Sequence, residues 1–193
     1  MKQKFIVAGA ALLPLVLQTS TWVAAQEQPP ADAAPQPEQT STVLTGGASA
    51  LTETHGDWNV NCQIVANTKV CTLSHQQFDQ AKNQRLLAIE LSSRTGETAN
   101  GTIAMPFGLE LSAGVTLSVE EKPAQTNMAF KTCFAVGCLV PVNWEKAFID
   151  RLKANKMLKI SAVAADTQQP VSFTVSLRGF SSAIARVAEL IKD

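Results

Sequence analysis

Tyrosine is absent from this 193-residue chain, and histidine occurs only twice, at His55 and His75. Imidazole bases are therefore confined to two positions, and neither lies in a recognisable catalytic frame. His55 precedes the first clear strand pattern, where a solvated ring is the default, and His75 falls on a packed face. No G-x-S-x-G, H-E-x-x-H, Ser-x-x-Lys or glycine-rich phosphate loop is present, so hydrolase and nucleotide-binding chemistry has no motif to stand on. The missing tyrosines also weaken the case for a carbohydrate-binding or antibody-like surface. Neither charge is in surplus, with 16 basic and 16 acidic residues, and nothing in that balance points to nucleic acid.

Long apolar runs are lacking too. The longest, Phe5 to Leu17, is about 13 residues and is interrupted by Pro14, short of the ~20 that a spanning helix needs. With Lys2 and Lys4 before it and Val23-Ala24-Ala25 after it, residues 1–25 read as a signal peptide cleaved near Ala25. No transmembrane segment is expected once it is removed. The remaining chain carries a net charge of about −2. Residues 26–50 are rich in Pro, Gln, Ala and small polar groups, a composition too poor in large apolar side chains to repay ordering entropy. They are expected to form a flexible tether. Residues 51–193 have the size of one domain.

Cysteine is absent before Cys62, so a mature N-terminus near residue 26 has no thiol for a lipid anchor. The four cysteines that follow, Cys62, Cys71, Cys133 and Cys138, are expected to form two disulfides in an oxidising compartment. Three pairings are open in principle. In "DWNVNCQIV", Trp58, Val60, Cys62 and Ile64 share one face of a strand, and in "KVCTLSH" Cys71, Leu73 and His75 do the same. A two-residue loop at Ala66-Asn67 would set Cys62 opposite Cys71, in a non-hydrogen-bonded pair about 4.5 Å apart at Cα. Cys133 and Cys138 then close the loop "CFAVGC". Each bridge would contribute about 2 to 3 kcal/mol by the chain-entropy estimate. Spacings of C-x8-C and C-x4-C do not suit zinc, and the C-x-x-C of a redox centre is missing. No cofactor or metal is expected. An exchangeable bridge at Cys133/Cys138 remains an alternative to a plain staple.

Period-two alternation recurs at Leu87, Ile89 and Leu91, at Leu109 and Leu111, at Val115, Leu117 and Val119, and at Val171, Phe173, Val175 and Leu177. Met128 to Cys133 and Met157 to Ala164 are further strand candidates. About eight strands without intervening helices imply a mainly β domain, an antiparallel sandwich or barrel. Two short helices complete it, at about 143–154, capped by Asn143, and at about 181–191, capped by Ser181 or Ser182. Trp58 and Trp144 read as core anchors, and Glu120-Glu121 as a solvated strand end. The basic stretch Lys146, Arg151, Lys153, Lys156 and Lys159 reads as a charged helix face.

The blocks "GDWNVNC", "VCTLSHQ", "MPFGLELSAGVTL", "FKTCFAVGCLV" and "VSLRGFSSAI", in that order, resemble the invasion-associated locus B family of exported bacterial proteins. The resemblance runs from about Gly56 to Ala188. It is carried by Trp58, Cys62, Cys71, Pro106, Gly108, Gly114, Cys133, Gly137, Cys138, Ser176, Leu177, Gly179 and Phe180. It implies a Gram-negative envelope protein, periplasmic or displayed outside, related to members linked with host-cell invasion, of erythrocytes in particular. No catalytic, cofactor-binding or metal-binding residue is carried over with it. The expected function is non-enzymatic, through contacts with protein partners in the envelope or on a host cell. The alternative is a periplasmic module that binds a small apolar ligand between its sheets.

Overall fold

The computed structural model describes residues 44–81 and 84–192. The expected signal peptide and most of the tether lie outside them. Leu44, inside the span assigned to the tether, is buried to 2% exposure, and a short 3-10 turn at Thr45–Gly47 follows it.

Among the described residues, eleven strands in two antiparallel sheets follow, β1 (Ala50–His55), β2 (Trp58–Val65), β3 (Thr68–Asp79), β4 (Gln84–Ser92), β5 (Ala99–Met105), β6 (Val115–Val119), β7 (Lys122–Met128), β8 (Thr132–Phe134), β9 (Gly137–Trp144), β10 (Met157–Val163) and β11 (Pro170–Ser176). Two helices among the same residues join them, α1 (Lys146–Ala154) and α2 (Phe180–Lys192). The larger sheet runs β1-β2-β3-β4-β5-β9-β8 and the smaller β11-β10-β6-β7. Every pairing is antiparallel, as the uninterrupted run of strand patterns predicts. The architecture is sandwich-like, and neither sheet closes into a barrel.

Alternation builds the core. Trp58, Val60 and Cys62 of β2, Leu73 of β3, Leu87, Ile89 and Leu91 of β4, and Val140 and Trp144 of β9 all point inward. Leu117 of β6, Leu158 and Ile160 of β10 and Val175 of β11 meet them in one cluster. The α2 stripe Phe180, Ala183, Ile184, Val187 and Leu190 joins that cluster, with the helix lying against β1, β2 and β3 and the α1 residues Phe148, Ile149 and Leu152 contributing beside it.

The helix starts differ from the sequence expectation. Asn143 and Trp144 pair with Asn100 and Ala99 in the β5–β9 ladder, so α1 begins only at Lys146, after Glu145. The inward Trp144 satisfies the strand period and still meets Phe148 edge-on at 5.2 Å, which is why it also fits a helical stripe. At α2, Ser181 and Ser182 lie inside the helix, and the Ser182 hydroxyl donates to the Gly179 carbonyl. Leu109 forms only an isolated bridge to Ala164, while Leu111 enters a 3-10 turn that Gly114 ends with φ 67°.

Candidate functional site

Two regions gather the chemically distinctive side chains: the turn where β1–β2 meets the start of α2, and the margin of the large sheet around Cys133–Cys138.

At the first, Asp57 and Arg178 form a two-pronged ion pair, with Nε and Nη2 at 3.1 and 2.5 Å from the carboxylate oxygens. The Asp57 amide donates to the Arg178 carbonyl at 3.0 Å. Beside them Gly179 takes φ 88°, and a Cβ there would lie 1.9 Å from the His55 carbonyl oxygen, so only glycine lets these turns touch. A second guanidinium, Arg186 of α2, grips Glu53 of β1 with Nε and Nη2 both at 2.9 Å. His55 lies in β1 rather than ahead of the strands, with its Nε2 3.3 Å from Glu53.

These ion pairs tune the carboxylates. The Arg178 guanidinium, followed by Ser176, holds the Asp57 carboxyl down at about 2. Glu53 is lowered from its ordinary range mainly by its hydrogen bond to Arg186. Deeper in, His75 is 6% exposed and sits 5.3 Å from the Trp58 ring. Its Nδ1 lies 2.7 Å from the Asp57 carbonyl oxygen. A carbonyl only accepts, so Nδ1 donates, and Nε2 is left to accept from the Gln77 amide at 3.3 Å. Both ring nitrogens are engaged, and the arrangement ties strands together rather than freeing a base. Gln77 also donates to the Thr174 carbonyl at 2.6 Å, and Trp58 Nε1 to that of Ser176 at 2.9 Å.

At the second region, β8 and β9 form a hairpin through Ala135-Val136, and Cys133 is bonded to Cys138 directly across it. Gly137, at φ 122°, presses so close to the Met105 carbonyl that a Cβ would lie 2.4 Å away. The Arg85 guanidinium donates to the Val136 carbonyl at 2.5 Å. The hairpin is thus fastened to both β5 and β4. Its apolar residues nonetheless face water: Phe134 is 59% exposed, Val136 54%, and neighbouring Phe107 59%. Phe107, Val136, Pro106 and Leu86 share a depression of about 140 Å³ with Arg85. From Val136 a wider groove of about 430 Å³ extends over the solvent face of the large sheet, lined by small side chains such as Ser74, Ala88 and Thr102. This margin can bind an apolar surface by desolvation, at about 25 cal/mol per Å² buried.

Cys62 is bonded to Cys71 across β2–β3, the two Cα atoms 4.1 Å apart. Ala66 and Asn67, both with positive φ, form the two-residue loop of that hairpin. Glu120 and Glu121 form the turn between β6 and β7, and Glu121 pairs with Lys159 at 3.3 Å. Lys146 pairs at the surface with Glu97 and Asp150, and Lys153 donates to the Gly96 carbonyl, so part of the basic stretch is engaged within the molecule. Among the described residues, no three His, Cys, Asp or Glu side chains gather as a metal site requires. No helix among them is long and apolar enough to cross a membrane. The exposed Phe107, Phe134 and Val136 went unread in the sequence. Their available signal was an apolar pair, Ala135-Val136, at a hairpin turn where polar residues or glycine are usual.

Both regions lie within or beside the segment that decides the family. The model of the invasion-associated locus B protein family matches residues 58–188, from Trp58 of β2 to Ala188 of α2. The chain belongs to the invasion-associated locus B family. An invasion protein B homologue of Brucella abortus (strain 2308) is 38% identical over 149 residues, 77% of this chain and 86% of the relative. Invasion protein B of Bartonella bacilliformis is 35% identical over 151 residues, covering 77% of this chain and 81% of that protein. The crystal structure of the invasion-associated protein B of Bartonella henselae shares the fold, with a TM-score of 0.68 and 33% identity over 74% of this chain and 97% of that one. Within this invasion-associated locus B domain, both disulfides and the Arg178–Gly179 turn lie inside the matched span, and Asp57 immediately precedes it.

Proposed function

We propose that this protein works in the bacterial envelope by protein contact and without catalysis, using the apolar margin around Phe107, Phe134 and Val136 as its contact surface. The observation that carries the reading is that Phe134 and Val136, on a hairpin fastened by a disulfide, an arginine and a close glycine contact, and the adjoining Phe107 all stay more than half exposed. A rigid loop presents them at little further ordering cost on binding. The engagement of His75 by two hydrogen bonds supports the non-catalytic part. Export through a cleaved signal at residues 1–25, and a tether running to the domain, belong to the same proposal. So does a role in host-cell association, which the names of the Brucella and Bartonella relatives suggest. The reading as a carrier of a small apolar ligand has less support, because Trp58, Trp144, Phe180 and the core leucines occupy the space between the sheets.

Photo-crosslinking in living cells tests the surface. A crosslinker at Val136 is expected to give discrete protein adducts, while one at the exposed Ser172 of β11 gives none. Equal adducts from both positions, or none from Val136, would overturn the assignment. Protease shaving of intact cells, with a periplasmic control, then decides between an outer-surface and a periplasmic partner.

A further inference from the structure

The two bridges differ in what can reach them. Cys62 and Cys71 are 2% and 1% exposed in the interior of the large sheet, with β1 on one side and β4 on the other. Cys138 is 3% exposed, but its partner Cys133 lies exposed on the three-residue edge strand β8. A disulfide is opened by a thiolate that approaches one sulfur along the S–S axis while the other sulfur leaves. Attack at Cys133 comes from the open edge; attack at Cys138 would have to come through the core. Opening the bridge would not release the hairpin, since the Arg85 hydrogen bond and the β8–β9 ladder do not depend on it. The hairpin that carries Cys133 also exposes the apolar Phe134 and, in its loop, Val136, and the exposed Phe107 shares a depression with Val136.

We propose that Cys133–Cys138 is a thiol–disulfide exchange site, attacked at Cys133 by the thiolate of a protein cysteine that lies among apolar side chains. The incoming sulfur forms a new S–S bond to Cys133 and is oxidised. The bond to Cys138 breaks, and that sulfur leaves with the electron pair as a thiolate that takes a proton from water. The Cys138 thiolate can re-attack and restore the bridge, or a second thiol can attack the mixed disulfide and leave Cys133 and Cys138 both reduced. Two electrons from two thiols then balance the single disulfide reduced. The proposal shares its location with the contact surface but does not require that surface to bind a stable partner.

The test uses the folded wild-type protein and three probes at equal thiolate concentration: glutathione, a cysteine peptide with apolar flanks, and the same peptide with charged flanks. Reactions are quenched in acid, alkylated and mapped by mass spectrometry. The bridge at Cys133–Cys138 is expected to open at least about a hundredfold faster than the buried one, with the adduct on Cys133. The apolar peptide is expected to react about tenfold faster than glutathione, and the Phe134→Ser/Val136→Ser variant to lose that advantage while keeping the adduct on Cys133. Equal opening of the two bridges, an adduct on Cys138, or no opening before global unfolding would overturn the site. Glutathione reacting as fast as the apolar peptide would overturn the protein-thiol assignment in favour of small thiols. Retained exchange with no crosslinks from Val136 would sink the contact surface alone.

Discussion

The hairpin holding Cys62–Cys71 and the hairpin holding Cys133–Cys138 are built alike and placed differently. Each turns in two residues, and each bridge joins directly opposed positions. The first lies in the sheet interior beside Trp58 and His75, and α2 packs against both its strands. The second includes the edge strand and leaves its loop in water. By chain entropy alone the bridges should stabilise almost equally, about 2.7 against about 2.2 kcal/mol. The larger difference comes from burial. Removing sulfur from the interior leaves a void at both positions, whereas at the edge only the Cys138 half is buried and the Cys133 half is already exposed.

The severest way to break the interior region is Trp58→Ala. The loss of a fully buried indole, its 5.0 Å edge contact with Phe180 and its bond to Ser176 should cost about 4 kcal/mol in urea unfolding. Cys62→Ala/Cys71→Ala should cost about 3 kcal/mol or more, and Cys133→Ala/Cys138→Ala about 2 kcal/mol or less. Equal midpoint shifts for the two double variants would erase the distinction between interior and margin. Phe134→Ser should move stability by less than about 0.5 kcal/mol while removing crosslinks from the margin. A large loss of stability would mean that the exposed loop supports the fold.

The gentlest probe is acid. Asp57 has its folded pKa depressed to about 2, below an unfolded value near ~3.9. Its stabilisation is therefore fully present above pH ~4 and is lost as the pH falls through about 2. The wild-type unfolding midpoint should drop across that window by more than that of Asp57→Asn. Parallel curves would show that the pair with Arg178 is too exposed to matter.

Much of this was legible wherever one face is buried and the other wet. The alternation in Trp58 to Ile64 and in Cys71 to His75, with a two-residue loop between them, specifies the β2–β3 register because a one-residue slip of either strand would turn its cysteine to solvent. The strands that escaped notice are β1, β5, β7 and β9, and each carries a local counter-signal, which in β7 is Pro123 and the lack of a large apolar residue before Met128. In β5, Ala99-Asn100-Gly101 has weak strand propensity. In β9, Pro141 argues against an interior strand although β5 and β8 flank it. In β1 only Leu51 is a large apolar residue. The contact margin was harder still to read, because Phe107 and Val136 are far apart in sequence and meet only when β5 and the β8–β9 hairpin are side by side. The clasp has the same character: Asp57 and Arg178 are 121 residues apart.

One consequence of the inner region reaches past a single molecule. The outermost strand of the smaller sheet, β11, would ordinarily offer a row of carbonyls to any extended chain that drifted by. Here Gln77 and Trp58 occupy those of Thr174 and Ser176. Two side chains from the opposite sheet therefore occupy places where a foreign strand would dock, and this margin is protected against edge-to-edge polymerisation by residues whose other work is to hold the core.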